Sequence, residues 1–208
     1  MNIKLINAGK RYNREWIFRN LTYEFSTAIK YAVTGPNGSG KSTLLQVLSG
    51  ALILNEGDCK WMVDNIDIQP DKVHLYISIA ASYFELIEEM TAKEFLIFHG
   101  NFKRFINNFS VEDILQEAAL LNAANKQIRF FSSGMKQRLK LAQAIFCDVP
   151  VVLLDEPCTN LDTSGFDLYY KWIENYCQNR LLVIASNDKN EYMFCDREIN
   201  IGKNNFKK

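Results

Sequence analysis

The chain has 208 residues, of which 48% are hydrophobic, and its 24 basic and 24 acidic side chains cancel to a net charge of zero. This length supports one globular unit with a sizeable core. The neutral balance argues against strong electrostatic attraction to nucleic acid or anionic lipid. The apolar runs are too short to cross a bilayer, and the first residues lack a signal-peptide pattern. The five cysteines are odd in number and form no C-x-x-C pair, which favours reduced thiols over a zinc site or a disulfide framework.

The first half of the chain contains strand-like runs followed by a helical block. Short runs separated by turn signals lie at 3–6, 21–25 and 29–33. Alternating hydrophobicity predicts a further strand over 73–79. Residues 91–126 have helical spacing, with capping boxes that begin at Thr91 and Ser110. We expect the helical block at 85–126 to form a separate lobe.

The second half alternates helices with apolar strands. A helix is predicted after Gly134, and another opens at Ser164. Strands are predicted over 151–154, 181–185 and 198–201. Strands that alternate with helices are typical of an α/β fold with a mainly parallel sheet covered on both faces.

The segment 35–43, Gly-Pro-Asn-Gly-Ser-Gly-Lys-Ser-Thr, matches the phosphate-loop pattern G-x-x-x-x-G-K-[ST] in full. It lies between a strand-like run and a helix-like run, which is the context that the motif requires. Glycines let backbone N–H groups approach phosphate oxygens, and the helix N-terminus adds a favourable dipole. Lys41 supplies a positive charge for the terminal phosphates, and Ser42 offers a hydroxyl to Mg²⁺. The candidate phosphate contacts are Gly35, Asn37, Gly38, Ser39, Gly40, Lys41, Ser42 and Thr43.

Two carboxylates, Asp155 and Glu156, follow the apolar run 151–154 and precede Pro157. Ligands of parallel α/β sheets bind at the carboxyl ends of the strands, so these side chains can meet the phosphate loop there. Asp155 is expected to hold Mg²⁺ through water, and Glu156 to accept a proton from attacking water. The alternative interpretation is a solvated acidic turn.

With these motifs in this order, nearly the whole chain resembles the ATP-binding cassette family. Segment 35–43 resembles its Walker A motif, and 151–157 resembles its Walker B motif. Phe-Ser-Ser-Gly-Met at 131–135 resembles the family signature, and Gln137 and Arg138 continue the match, with a solvated helix face as the alternative. Residues 159–162 resemble the loop that touches the partner subunit near the nucleotide.

The family usually stacks an aromatic side chain on the adenine, and Tyr12 lies at the matching position. Trp16 and Phe18 are nearby alternatives, and hairpin packing could explain all three side chains.

The resemblance implies a P-loop NTPase core with a parallel sheet, an N-terminal antiparallel β subdomain and an inserted α-helical subdomain. The nucleotide-binding core would comprise 1–80 and 132–208, and the helical subdomain 81–131. Phe102, Phe105 and Phe109 are expected to pack inward there, with a docking surface as the alternative.

A head-to-tail dimer around two ATP molecules is also implied, either a homodimer or a heterodimer with a related cassette. Each site would join the Walker A motif of one chain to Ser132, Ser133, Gly134 and Asp162 of the other. Ser132 or Ser133 also fits an ordinary helix N-cap, and the two roles are compatible.

Three positions depart from the family pattern, and one of them is Ser133 of the signature, where a second glycine is usual. The family usually has a glutamine after the strand predicted at 73–79, whereas no glutamine lies between 70 and 115, and Ser82 is near that position. Asn187 stands where the family usually has a histidine that contacts the γ-phosphate. Asparagine can donate a hydrogen bond but carries no charge. We therefore expect hydrolysis to be slow, with Glu156, Asn187 and Lys41 as the catalytic residues.

The resemblance implies the ATP-binding and hydrolysing subunit of a transporter, with ATP and Mg²⁺ as cofactors. It would lie on the cytoplasmic face of the membrane, and its outer lobe would contact a separate transmembrane subunit. No nucleic acid is expected as a partner. A soluble cassette ATPase of macromolecular assembly and a regulatory subunit that hydrolyses ATP poorly are the alternatives.

Overall fold

The computed structural model describes residues 1–201, so the last seven residues of the core segment predicted at 132–208 lie outside the described part. The strands are β1 (Asn2–Tyr12), β2 (Glu15–Ser26), β3 (Lys30–Thr34), β4 (Glu56–Val63), β5 (Ile66–Ile68), β6 (Ile77–Ala80), β7 (Val151–Asp155), β8 (Leu181–Ala185) and β9 (Arg197–Asn200). The α-helices are α1 (Lys41–Leu48), α2 (Ala92–Gly100), α3 (Val111–Glu117), α4 (Ser133–Ile145), α5 (Thr163–Tyr176) and α6 (Lys189–Tyr192). None of these helices is long and apolar enough to cross a membrane.

The N-terminal sheet is antiparallel, in the order β2-β1-β4-β5. β1 and β2 form a hairpin in which Ile3 opposes Phe25. Alternate residues of β1, such as Ile3 and Leu5, point into the core. This confirms the antiparallel sheet that the family resemblance implies.

The second sheet is parallel, in the order β6-β7-β8-β3-β9. Its central strands are buried on both faces, because successive side chains alternate between two hydrophobic clusters. Val152 and Leu154 pack with α4, α5 and the helical segment, whereas Val151 and Leu153 pack with α1 and the antiparallel sheet. The predicted α/β fold is therefore confirmed.

Residues 91–126, predicted to be helical with two helix starts, form the short helices α2 and α3 joined by turns and 3₁₀ segments. Both predicted capping boxes are present, at the starts of α2 and α3. Between these helices the chain turns through Asn107 and Asn108, both with left-handed φ near 53°. Phe102 is 68% exposed and not packed inward as expected, whereas Phe105 and Phe109 pack against the core. The subdomain boundaries at 81 and 131 stay a prediction.

The strand predicted over 73–79 is wrong in its first half. A 3₁₀ helix spans Pro70–Leu75, and β6 begins only at Ile77. Pro70 explains the difference, because its fixed φ favours the first turn of a helix. Tyr76 N–H then donates to Val73 O at 3.0 Å and closes the last turn.

Candidate functional site

The phosphate loop lies between β3 and α1, as its sequence context requires. Its turns use positive φ at Gly38 and Gly40, 79° and 100°. The Lys41 ammonium donates to Gly35 O at 2.9 Å and to Pro36 O at 3.3 Å. These two bonds hold the positive charge within the curve of the loop, where phosphate groups would lie.

α1 begins differently from the other five α-helices of residues 1–201. A Thr, Ser or Asp side chain caps each of the others, whereas the N-cap of α1 is Gly40, which has no side chain to do so. The first-turn N–H groups of α1 are therefore available to an anion. A side chain at Gly40 would also collide with Ile17, whose Cγ2 lies 2.1 Å from the ideal Cβ position. The loop thus depends on glycine for its conformation and for its packing against β2.

Asp155 and Ser42 meet at the carboxyl end of β7. Burial raises the pKa of Asp155, and a hydrogen bond with the Ser42 hydroxyl and the charge of Lys41 oppose this rise. Asp155 Oδ2 and Ser39 Oγ are buried and have no hydrogen-bond partner among residues 1–201. Buried polar atoms are nearly always paired in folded proteins, so these two atoms indicate a site that a ligand completes.

Glu156 follows directly and lines a cavity of about 380 Å³ together with Asn37 and Asn187. Its N–H donates to Ala185 O of β8 at 2.9 Å, and its φ of 47° is left-handed. Such a φ is strained for a residue with a Cβ and is typical of functional sites. Glu156 is half-buried at the wall of this cavity and is thus not fully solvated, as the alternative of an acidic turn would have it.

Asn187 contacts the phosphate loop directly. Its Nδ2 donates to Asn37 Oδ1 at 2.6 Å, although the two residues are 150 positions apart. Ser186 N–H donates to Val33 O at 3.1 Å, which ties the start of this loop to the strand before the phosphate loop. Asn187 therefore lies beside the phosphate loop, and its contact with the γ-phosphate stays a prediction.

Two residues at this site were missed by the sequence analysis. The pKa of Tyr83 is raised to about 12, chiefly by burial and then by the nearby Asp155 charge, while the Gln46 side chain opposes the shift. Tyr83 thus lies near Asp155 and one residue after Ser82. One signal was available for Gln46, which lies one helical turn after Ser42 and shares its face of α1.

The signature segment begins α4. Ser132 is the N-cap, and its side chain accepts from Met135 N–H at 3.2 Å, so Ser132 rather than Ser133 has this role. The ideal Cβ position of Gly134 lies 3.0 Å from Asn160 O, which brings the signature next to 159–162 of the same chain. Asp162 caps α5, with Oδ1 accepting from Gly165 N–H at 2.8 Å, and the helix begins at Thr163, one residue before the predicted start.

Gln137 and Arg138 do not lie on a solvated helix face. Gln137 Nε2 donates to Pro157 O at 2.7 Å, and Arg138 donates to Ala118 O at 3.1 Å. Both side chains are partly buried and join α4 to neighbouring loops.

The three aromatic candidates for adenine stacking differ in exposure. Phe18 is 5% exposed and belongs to the core. Trp16 lies near the guanidinium groups of Arg11 and Arg19. Tyr12, at the end of β1, is 47% exposed, and only Lys10 approaches its ring among the described cation–aromatic contacts. Tyr12 is thus the aromatic most free to stack.

A phosphate loop and two carboxylates at the same edge of a parallel sheet define a P-loop nucleotide-binding protein. The chain belongs to the ABC transporter family, whose sequence profile matches residues 18–159, and corresponds to its ATP-binding subunit.

Several relatives resemble nearly the whole chain. An uncharacterised ABC transporter ATP-binding protein, YybJ of Bacillus subtilis, is 30% identical over 97% of this chain and 94% of its own length. The cytochrome c biogenesis ATP-binding export protein CcmA of Reclinomonas americana is 26% identical over 99% and 89%. By contrast, the chain spans only 22% of ABC transporter A family member 12 of Arabidopsis thaliana, at 29% identity.

Solved structures share the fold. A putative ABC transporter ATP-binding protein from Pyrococcus furiosus superposes with a TM-score of 0.81 at 20% identity, over 97% of this chain and 98% of that one. A dimeric, post-hydrolysis ATP-binding cassette bound to ADP and Pi superposes with a TM-score of 0.77 at 25% identity, over 96% and 95%.

The Asn187→His variant is expected to raise kcat for ATP about threefold or more, because an imidazole can carry charge and exchange a proton beside the γ-phosphate. Steady-state ATP hydrolysis measures this effect. Asn175→His on the exposed side of α5 serves as the matched control. Unchanged kcat and KM in Asn187→His would contradict the placement of Asn187 at the γ-phosphate.

Proposed function

We propose that the chain hydrolyses ATP with Mg²⁺ as one half of a head-to-tail dimer and thereby drives a separate membrane-spanning subunit. The observation that carries this proposal is the meeting of three loops at one sheet edge. The phosphate loop, the Asp155–Glu156 pair and Asn187 follow β3, β7 and β8, which are neighbouring strands. Glu156 would accept a proton from water as it attacks the γ-phosphate.

The residues at the end of β7 fit Mg²⁺. The ion prefers oxygen ligands and completes its coordination with water and phosphate oxygens. Ser42 would contribute its hydroxyl. Asp155, whose buried Oδ2 has no hydrogen-bond partner among residues 1–201, would hold the ion through water. When bound, Mg²⁺ supplies positive charge that neutralises the transferring phosphoryl group.

The dimer proposal is supported by the start of α4. Ser132 and Ser133 are exposed at this helix N-terminus, where N–H groups can bind the γ-phosphate of a second chain. The dimeric ATP-binding cassette bound to ADP and Pi supports dimerisation. ATP, whose adenine would stack on Tyr12, would then be enclosed between the two chains, with Asp162 near the boundary.

Mixing two inactive variants tests the shared site. Lys41→Ala disables Walker A, and Gly134→Asp disables the signature by placing a like charge at the phosphate. A head-to-tail heterodimer of the two retains one intact site. We expect a one-to-one mixture to regain at most about a quarter of wild-type ATPase activity, since half of the dimers are mixed and each has one site.

The control mixes each variant with itself at the same total concentration. If the wild-type protein is active but the mixture of the two variants is no more active than either variant alone, the head-to-tail arrangement is overturned.

We further propose that hydrolysis is slow, because Asn187 replaces a histidine and no glutamine follows β6 within 70–115. A missing polar contact to the reacting phosphate costs on the order of 10²–10³ in rate.

The membrane-spanning partner is proposed to dock beside the helical segment. A groove of about 290 Å³ lies between the end of β6 and α2. It is lined in part by Phe84, Ile87 and Phe98, which are 44%, 41% and 39% exposed. Such clustered exposed apolar side chains mark interaction sites. Co-purification of a multispanning protein from detergent-solubilised membranes would support this partner, which would place the chain on the cytoplasmic face.

A further inference from the structure

The peptide group between Pro157 and Cys158 is held on both sides by side chains. Gln137 Nε2, from α4, donates to Pro157 O at 2.7 Å. Cys158 N–H donates to Glu191 Oε1, from α6, also at 2.7 Å. Because carbonyl and N–H belong to the same rigid plane, the two bonds together set the orientation of this peptide.

This peptide is the second one after Glu156, the general-base candidate, and only Pro157 lies between them. Glu156 has a left-handed φ of 47°, and Asn160, at the other end of the loop, has a φ of 65°. Strained backbone persists only where its surroundings determine it. Within the loop itself, Thr159 N–H donates to Glu156 O at 3.2 Å and Leu161 N–H to Cys158 O at 3.0 Å. The side-chain bonds from α4 and α6 supply the external restraint.

Glu191 is an unusual residue to find inside a protein. It is 4% exposed, and its Oε2 has no hydrogen-bond partner among residues 1–201. Burial raises its pKa, while the Ser186 hydroxyl and the Cys158 N–H oppose the shift. Its carbonyl also accepts from the Tyr169 hydroxyl at 2.7 Å, which ties it to α5. A buried carboxyl group of this kind is costly, so its bond to Cys158 indicates a function.

We infer that Gln137 and Glu191 are positioning residues that orient Glu156 through the Pro157–Cys158 peptide. They also connect the signature helix α4 to the loop that carries Asn187, because α6 begins two residues after Asn187. The chemistry at Glu156 therefore depends on both elements that face the γ-phosphate. This inference rests on the proposed ATPase function.

Three variants test the inference. Gln137→Leu removes the donor, Glu191→Leu removes the acceptor, and Glu191→Gln retains an acceptor oxygen. We expect each Leu variant to lower kcat about tenfold while KM stays within about twofold, because the restraint acts on Glu156 and not on ATP binding. Glu191→Gln should retain about a third or more of the activity. In the double variant Gln137→Leu/Glu191→Leu, kcat should fall by a factor far smaller than the product of the two single-variant factors, because both residues hold the same peptide.

Gln127→Leu is the matched control, because Gln127 Nε2 also donates to a backbone carbonyl, Glu89 O at 3.0 Å, in the helical segment. Amide hydrogen exchange supplies a readout independent of turnover. Exchange within 156–162 should accelerate about tenfold in the Leu variants and stay unchanged in α2.

Unchanged exchange at 156–162 in both Gln137→Leu and Glu191→Leu would overturn the inference. It would also be overturned if Glu191→Gln or Gln127→Leu lowered kcat as much as those two variants do. If the wild-type protein does not hydrolyse ATP, the proposed function fails, whereas the exchange measurement still tests the positioning of the peptide.

Discussion

The Lys41→Ala variant is expected to lose ATP binding, with the dissociation constant rising about 100-fold or more. Lys41 is only 6% exposed, and its ammonium lies within the phosphate loop. Removing one partner of a buried, hydrogen-bonded charge pair costs about 2–5 kcal/mol, and each 1.4 kcal/mol is about tenfold in affinity. Titration with a fluorescent ATP analogue measures the change.

Lys72→Ala, at an exposed position outside the site, is the control for loss of a lysine. Thermal unfolding of both variants separates lost binding from lost folding. Nearly wild-type affinity in a folded Lys41→Ala protein would contradict the assignment of the phosphate loop.

The Glu156→Gln variant is expected to bind ATP normally but to lower kcat by about 10²–10³. Glutamine has the same shape as glutamate but cannot accept the proton of attacking water. The backbone at this position is held by the N–H bond to Ala185 O and does not depend on the carboxylate. Single-turnover hydrolysis and equilibrium ATP binding, measured on the same preparation, separate the chemical step from affinity.

Glu174→Gln, on an exposed turn of α5, is the control for neutralising a glutamate. Wild-type protein that hydrolyses ATP no faster than Glu156→Gln would exclude Glu156 as the base. It would favour instead a regulatory subunit that binds ATP and hydrolyses it poorly.

Much of the fold was predictable because its signals are local. Capping boxes at Thr91 and Ser110 depend on residues three positions apart, and both are present. The apolar run 151–154 predicted a buried strand because both faces of β7 are covered. Where two local signals compete, the prediction was wrong: alternation suggested a strand at 73–75, but Pro70 favoured a 3₁₀ turn.

The site was predictable only in part, for a related reason. The chemistry of a phosphate loop lies within nine consecutive residues, so segment 35–43 identifies it without tertiary information. For Gln137, a solvated helix face stayed open as the alternative to the signature match, because no residue near it in the sequence indicates a contact with Pro157. Tyr83 belongs to no recognisable sequence motif. It lies near Asp155 because β6 and β7 are neighbours in the sheet.

By itself, the sequence determined that this protein presents a phosphate loop and a carboxylate pair, and it indicated the family. Only the tertiary structure decided what surrounds them. The order β6-β7-β8-β3-β9 brings Asn187 to Asn37 across 150 residues, and it brings Glu191 to the Pro157–Cys158 peptide. Motif chemistry depends on neighbours along the chain, whereas the orientation that we infer for Glu156 depends on side chains that meet only when the strands pair.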